Sequence, residues 1–152
     1  MQNFKKSSYS SILLLICSLL ILLWVYTAIS KLANFAEFER QLNNQTFGKA
    51  FTTYLLWLIP VTEIAAALLL FFNRTRLYGL VLSALLMALF TGYISLVLLG
   101  YYDRVPCSCG GVLKQLGWSA HLWFNLFFLL LSVLGIYWML INKNVERDKL
   151  IK

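Results

Sequence analysis

The sequence predicts an all-α membrane protein: an antiparallel four-helix bundle with a short amphipathic helix at the interface between the first two spans. Three observations predict it. Of 152 residues, 61% are hydrophobic and only 12% charged, against about 25% charged in an average soluble domain. The few charges leave four long apolar stretches between them, joined by Lys31 to Lys49, a tight Asn73 to Arg76, and Asp103 to Lys114. Aromatic residues are abundant (11 Phe, 8 Tyr and 5 Trp) and mean hydropathy is +0.76, so lipid is the expected solvent.

A helix needs about 20 apolar residues to cross a hydrocarbon core about 30 Å thick. The first stretch, Ser7 to Ser30, carries no charge, and the second, Ala50 to Phe72, carries only Glu63. The third, Leu77 to Tyr102, is uncharged, and the fourth, Gln115 to Asn142, has only His121. The predicted spans are therefore about 9–30, 51–72, 77–101 and 117–141, within one integral membrane domain over 1–152. Lys5 and Lys6 before an apolar run, with Ala28-Ile29-Ser30 after it, also resemble a secretory leader. The run exceeds the usual apolar length of such a leader, and Trp24 and Tyr26 suit an interfacial anchor, so a retained span is preferred.

Between the first two spans, Leu32, Phe35, Ala36, Phe38 and Leu42 share about half of a helical wheel, with Glu37, Arg40 and Gln41 elsewhere. This segment is expected on the membrane surface as a cover over helix ends, with substrate gating as the alternative. Pro60 is expected to kink the second span. Gly92, Ser95 and Gly100 are expected to let the third pack closely.

Net charge is +7, which in a soluble chain would suggest nucleic acid; on a membrane protein it reports orientation instead, and nucleic-acid binding is disfavoured. One side of the bundle collects Lys5, Lys6, Arg74, Arg76, Lys143, Arg147, Lys149 and Lys152. The other has Lys31, Arg40, Lys49, Arg104 and Lys114. The bias places both termini in the cytoplasm and the first and third loops outside.

Chemistry concentrates in that third loop, at Val105-Pro106-Cys107-Ser108-Cys109-Gly110-Gly111. A disulfide spanning one residue pushes its Cα atoms towards the top of the usual range of roughly 4.4–6.8 Å and resists ideal torsions. A strained, exposed disulfide has a high potential and passes oxidising equivalents to other thiols. A redox-active pair is the leading reading. An inert loop disulfide and a metal site are the alternatives, although zinc normally takes four ligands and only Cys107, Cys109 and His121 are on offer. No metal is expected. There is no haem-attachment sequence, and Cys17, deep in the first span, reads as a small core residue.

His121, one turn into the fourth span, is a candidate acid/base for thiol or quinone chemistry, or an interfacial histidine bonded to a loop carbonyl. Glu63 costs about 2.5–3.5 kcal/mol as an intramembrane charge. It reads either as a proton relay or cofactor contact, or as a structural hydrogen bond to Ser83, Thr91, Ser95 or Asn125. Trp118 and Trp123 beside His121 belong by default to the interfacial aromatic belt, and could equally wall a flat quinone.

Lys31 closing the first span, the Phe-rich surface helix, Pro60-x-x-Glu63 and Cys107-x-Cys109-Gly110 together resemble the MauE/DoxX family over most of the chain. The resemblance implies a four-helix protein of the bacterial cytoplasmic membrane associated with redox. In that family MauE helps to mature methylamine dehydrogenase, rich in disulfides, beside a thioredoxin-like partner, and DoxX relatives are linked to thiosulfate:quinone oxidoreduction. Gly110 stands where the MauE pattern has Phe, and the second cysteine pair of DsbB-type oxidases is absent.

The expected function is thus a membrane thiol–disulfide oxidoreductase. Cys107 and Cys109 form the redox-active disulfide and exchange electrons with an exported, cysteine-rich or thioredoxin-like partner. His121 acts as acid/base, quinone is the acceptor, and Glu63, His121, Trp118 and Trp123 contact it. The alternative is a non-catalytic assembly scaffold with a structural disulfide. A carrier for small solutes or lipids is disfavoured, since the spans lack broken-helix symmetry.

Overall fold

A computed structural model describes residues 2–43, 49–100 and 117–150, with side chains at 11–43, 51–100, 117 and 119–141. Among the described residues every regular element is a helix: α1 (Gln2–Ala33), α2 (Phe35–Asn43), α3 (Lys49–Phe71), α4 (Arg76–Leu98) and α5 (Trp118–Leu150). The apolar portions Ser11–Ala33, Phe51–Phe71, Arg76–Leu98 and Ser119–Ile141 are each long enough to cross a membrane. At 1.5 Å per residue they measure about 32–35 Å, matching a hydrocarbon core of about 30 Å.

Large apolar side chains point outward, among them Leu22, Leu68, Leu89 and Leu130, while Thr27, Lys31, Glu63, Ser83, His121, Asn125 and Ser132 are buried. This distribution suits a hydrocarbon solvent, in which outward polar groups are costly and inward ones find partners. The protein is a multi-pass membrane protein. The long helices pack in a ring, most extensively α4 with α5 and α1 with α3, then α3 with α4, and α1 with α5 closes it. Ile16, Cys17, Leu20, Trp24, Ala66, Leu70, Leu80 and Met87 form its core. Cys17 is a free, buried thiol there, the small core residue expected.

The turn from α3 to α4 is built by Thr75, whose hydroxyl donates to Leu69 O at 3.0 Å and whose amide donates to Phe72 O at 3.1 Å. So short a turn forces the two helices together immediately beyond it. A Cβ on Gly79 would lie 2.7 Å from Leu70 N. Close packing was expected at Gly92 and Gly100 instead, but a Cβ at either would meet nothing within 4 Å. Gly100 serves the backbone, with φ +71° where α4 ends and its amide donating to Val97 O.

After the turn at Asn34, α2 buries Phe38 and Leu42 against Leu56 of α3, and Phe35 stacks at 5.4 Å on Trp57. Its outer side is polar, with Arg40 paired to Glu37 at 2.6 Å. Leu32 and Ala36, expected on the apolar face, are exposed, because α2 docks on α3 through one narrow stripe. Pro60 is buried within α3, which continues through it.

Candidate functional site

The ends of α1 and α4 and the starts of α3 and α5 meet at the end of the bundle that α2 covers. On α1 the buried positions recur at helical spacing: Ile16, Cys17, Leu20, Leu23, Trp24, Thr27, Ala28 and then Lys31. Lys31 is therefore the last residue of the core-facing stripe, 3% exposed, and its ammonium donates to Glu63 Oε1 at 2.6 Å. Glu63, on α3, is 1% exposed. A charge at that depth is tolerable only with a partner, and Lys31 is that partner.

The second carboxylate oxygen, Glu63 Oε2, is buried with no hydrogen-bond partner among the described residues. It belongs to a pocket lined by Trp24, Thr27, Lys31, Glu63, His121 and Asn125, with Leu23, Met87, Phe90 and Phe124 completing the wall. His121 and Asn125 are 4% and 5% exposed and lie one turn apart on α5. The His121 amide donates to Gly117 O at 3.0 Å, which starts α5. Lys31 and His121 line the same pocket. Trp24 is fixed by a hydrogen bond from Nε1 to Ser83 Oγ at 2.8 Å, tying α1 to α4 beside the pocket.

Two of the site residues read from sequence, Glu63 and His121, thus meet in one pocket, although they are 58 positions apart in the chain. Trp123 does not join them: it is 71% exposed on the outward face of α5. Cys107, Cys109 and the Trp118 side chain lie outside the described residues. The connection that carries the two cysteines leaves α4 and enters α5 at this same end of the bundle.

Among the described residues the hydrogen bond to Glu63 comes from Lys31 and not from the four partners expected. Ser83 accepts from Trp24, Ser95 donates to Thr91 O, Thr91 Oγ1 has no partner among the described residues, and Asn125 lines the pocket. Sequence reasoning missed Lys31 as the partner because it counted as a loop charge. Its signal was its register, seven residues beyond Trp24 on the same helical face.

The pocket volume is about 20 Å³, room for a water molecule, which needs about 10–15 Å³ measured in this way. An aromatic ring does not fit. Chemically the site can hold, donate or accept protons. Among the described residues no three His, Cys, Asp or Glu side chains are grouped to share a metal ion.

Neither a curated protein nor a solved structure matches the chain. A family match does exist, to the family described as methylamine utilisation protein MauE. It covers residues 9–138, a stretch that includes all of Lys31, Glu63, Cys107, Cys109 and His121. With its four apolar helices and this match over most of its length, the chain belongs to the MauE family.

Proposed function

We propose that the protein is a membrane thiol–disulfide oxidoreductase of the cytoplasmic membrane, with both termini in the cytoplasm and the Cys107–Cys109 loop outside. A dithiol on an exported, cysteine-rich or thioredoxin-like partner attacks the Cys107–Cys109 disulfide. The partner leaves as a disulfide and the pair is left as two thiols. Reoxidation removes two electrons and two protons, and a lipid-soluble quinone accepts both as it becomes quinol. DoxX-type quinone chemistry belongs to the same reading.

One observation carries it. Three ionisable side chains from three helices, Lys31, Glu63 and His121, converge in a buried pocket at the end of the bundle where the cysteine connection is attached. Intramembrane ionisable groups are expensive and mark proton or substrate paths. His121 acts as acid/base, Glu63 holds protons, and Lys31 keeps the carboxylate in place. Because the pocket takes a water and no ring, it serves protons. Quinone approaches from the lipid side, where Trp123 is exposed near the start of α5.

The small, closed pocket and the complete Lys31–Glu63 pair favour a second reading: a scaffold for a thioredoxin-like partner, with Cys107–Cys109 as a fixed staple. The potential of the pair separates the two. An exchanging disulfide titrates above roughly −300 mV and a structural one below it. The oxidoreductase further requires that purified protein with quinone oxidise a reduced thioredoxin-like partner, and that Cys107→Ser and Cys109→Ser each abolish this. A potential below that value, or turnover indifferent to both substitutions, leaves the scaffold.

A further inference from the structure

Glu63 Oε2 is a buried acceptor with no partner among the described residues. Such a group costs about 1–3 kcal/mol unless something donates to it. A buried water needs a roomy site and two to four polar partners. The pocket meets both requirements, with about 20 Å³ of space and Glu63, His121, Asn125 and Thr27 on its wall. The other cavity of note is a contrast: about 330 Å³ between α1 and α3, lined only by apolar side chains such as Ile29, Leu68 and Phe71. Size alone would choose that one, and polarity chooses the pocket at Glu63.

We propose that this pocket binds one water molecule that donates to Glu63 Oε2 and hydrogen-bonds to His121 and Asn125, making Lys31, Glu63, water and His121 a single proton relay across α1, α3 and α5. The transfer balances without any other reactant. An imidazolium at His121 gives its proton to the water as the water gives one of its own to Glu63 Oε2, leaving a neutral imidazole and a protonated carboxyl. Lys31 holds the carboxylate by Oε1, so that Oε2 is the oxygen presented to the water. His121, in the first turn of α5, is the member nearest in sequence to the cysteine connection. The water site stands on the pocket alone, and its use as a relay rests on the oxidoreductase reading.

The test is infrared spectroscopy of the full chain in lipid nanodiscs, comparing ordinary with heavy-oxygen water. An O–H band that shifts with the oxygen isotope and is lost in Asn125→Leu is the expected result. Asn125→Val, a smaller apolar replacement at the same partner, is the second variant if Asn125→Leu fails to fold. Quinone-dependent thiol oxidation should fall roughly tenfold or more in the variant that loses the band. No isotope-sensitive band in the wild-type protein, or a band unmoved by the variant, overturns the water site even if turnover is normal. A lost band with unchanged turnover overturns the relay. A band in a protein with no thiol turnover at all keeps the water site and overturns the oxidoreductase reading.

Discussion

Removing one partner of the Lys31–Glu63 pair is a severe perturbation of this fold. The two side chains are 3% and 1% exposed and meet at 2.6 Å, so neither has solvent to fall back on. Lys31→Met leaves a carboxylate alone in the bundle, and Glu63→Gln leaves an ammonium alone. Breaking a buried pair from one side costs about 3–5 kcal/mol, close to four thousandfold in the unfolding equilibrium at the upper end. Replacing both partners by apolar or neutral groups of similar volume is nearly neutral, because the charges no longer need each other. Lys31→Met combined with Glu63→Gln should therefore recover most of the loss, with a coupling energy of about 2 kcal/mol or more. Unfolding of the purified protein in nanodiscs, followed by tryptophan fluorescence, gives all four corners of the cycle. Single-variant costs below about 1 kcal/mol, or costs that simply add, would refute a buried, mutually dependent pair. The same double variant separates stability from chemistry: it should fold well and still fail to turn over thiols.

Three further predictions follow from the packing. Trp24→Phe removes the donor to Ser83 Oγ and should cost about 1 kcal/mol, typical of hydrogen bonds between membrane helices, with Ser83→Ala costing no more. Gly79→Ala drives a methyl into the Leu70 backbone and should destabilise by about 1–3 kcal/mol, whereas Gly92→Ala meets nothing and should be neutral or stabilising by up to about 1 kcal/mol. Both are read from the same thermal melts, and equal effects would contradict the α3–α4 approach. Phe38→Ala removes one of the two buried anchors of α2, so hydrogen exchange should accelerate across 35–43 while the four long helices keep their protection; slow exchange in α2 would mean that other contacts hold it.

The long helices were legible because hydrocarbon imposes a length and an apolar composition that few other structures need. α2 was legible as amphipathic from Phe35, Phe38 and Leu42, but which face it would bury was not: the wheel treats Ala36 and Leu32 as equal to Phe38, while only the position of Leu56 selects Phe38 and Leu42. Glu63 and His121 stood out because ionisable residues are rare in apolar runs. Their meeting did not, because it depends on the order of helices around the ring, a tertiary property. Lys31 was misassigned for an instructive reason. A lysine at a span end usually extends towards water, and only its register with Trp24 and Thr27 reveals that this one turns inward. Gly79 escaped notice as well, since a glycine's contacts are set by the neighbouring helix, whose approach is fixed by the turn at Thr75.

The proposed function requires that the Cys107–Cys109 pair cycle between disulfide and dithiol. Its most direct test is the redox state of Cys107 and Cys109 in native membranes, trapped with a mass-tagging thiol reagent under anaerobic conditions with and without added quinone; Cys17, buried in the core, serves as the silent internal control. The expected result is a pair that is reduced when quinone is withheld and becomes oxidised when it is supplied. A pair that stays oxidised under both conditions and resists mild reductant would contradict it and make the loop a structural staple.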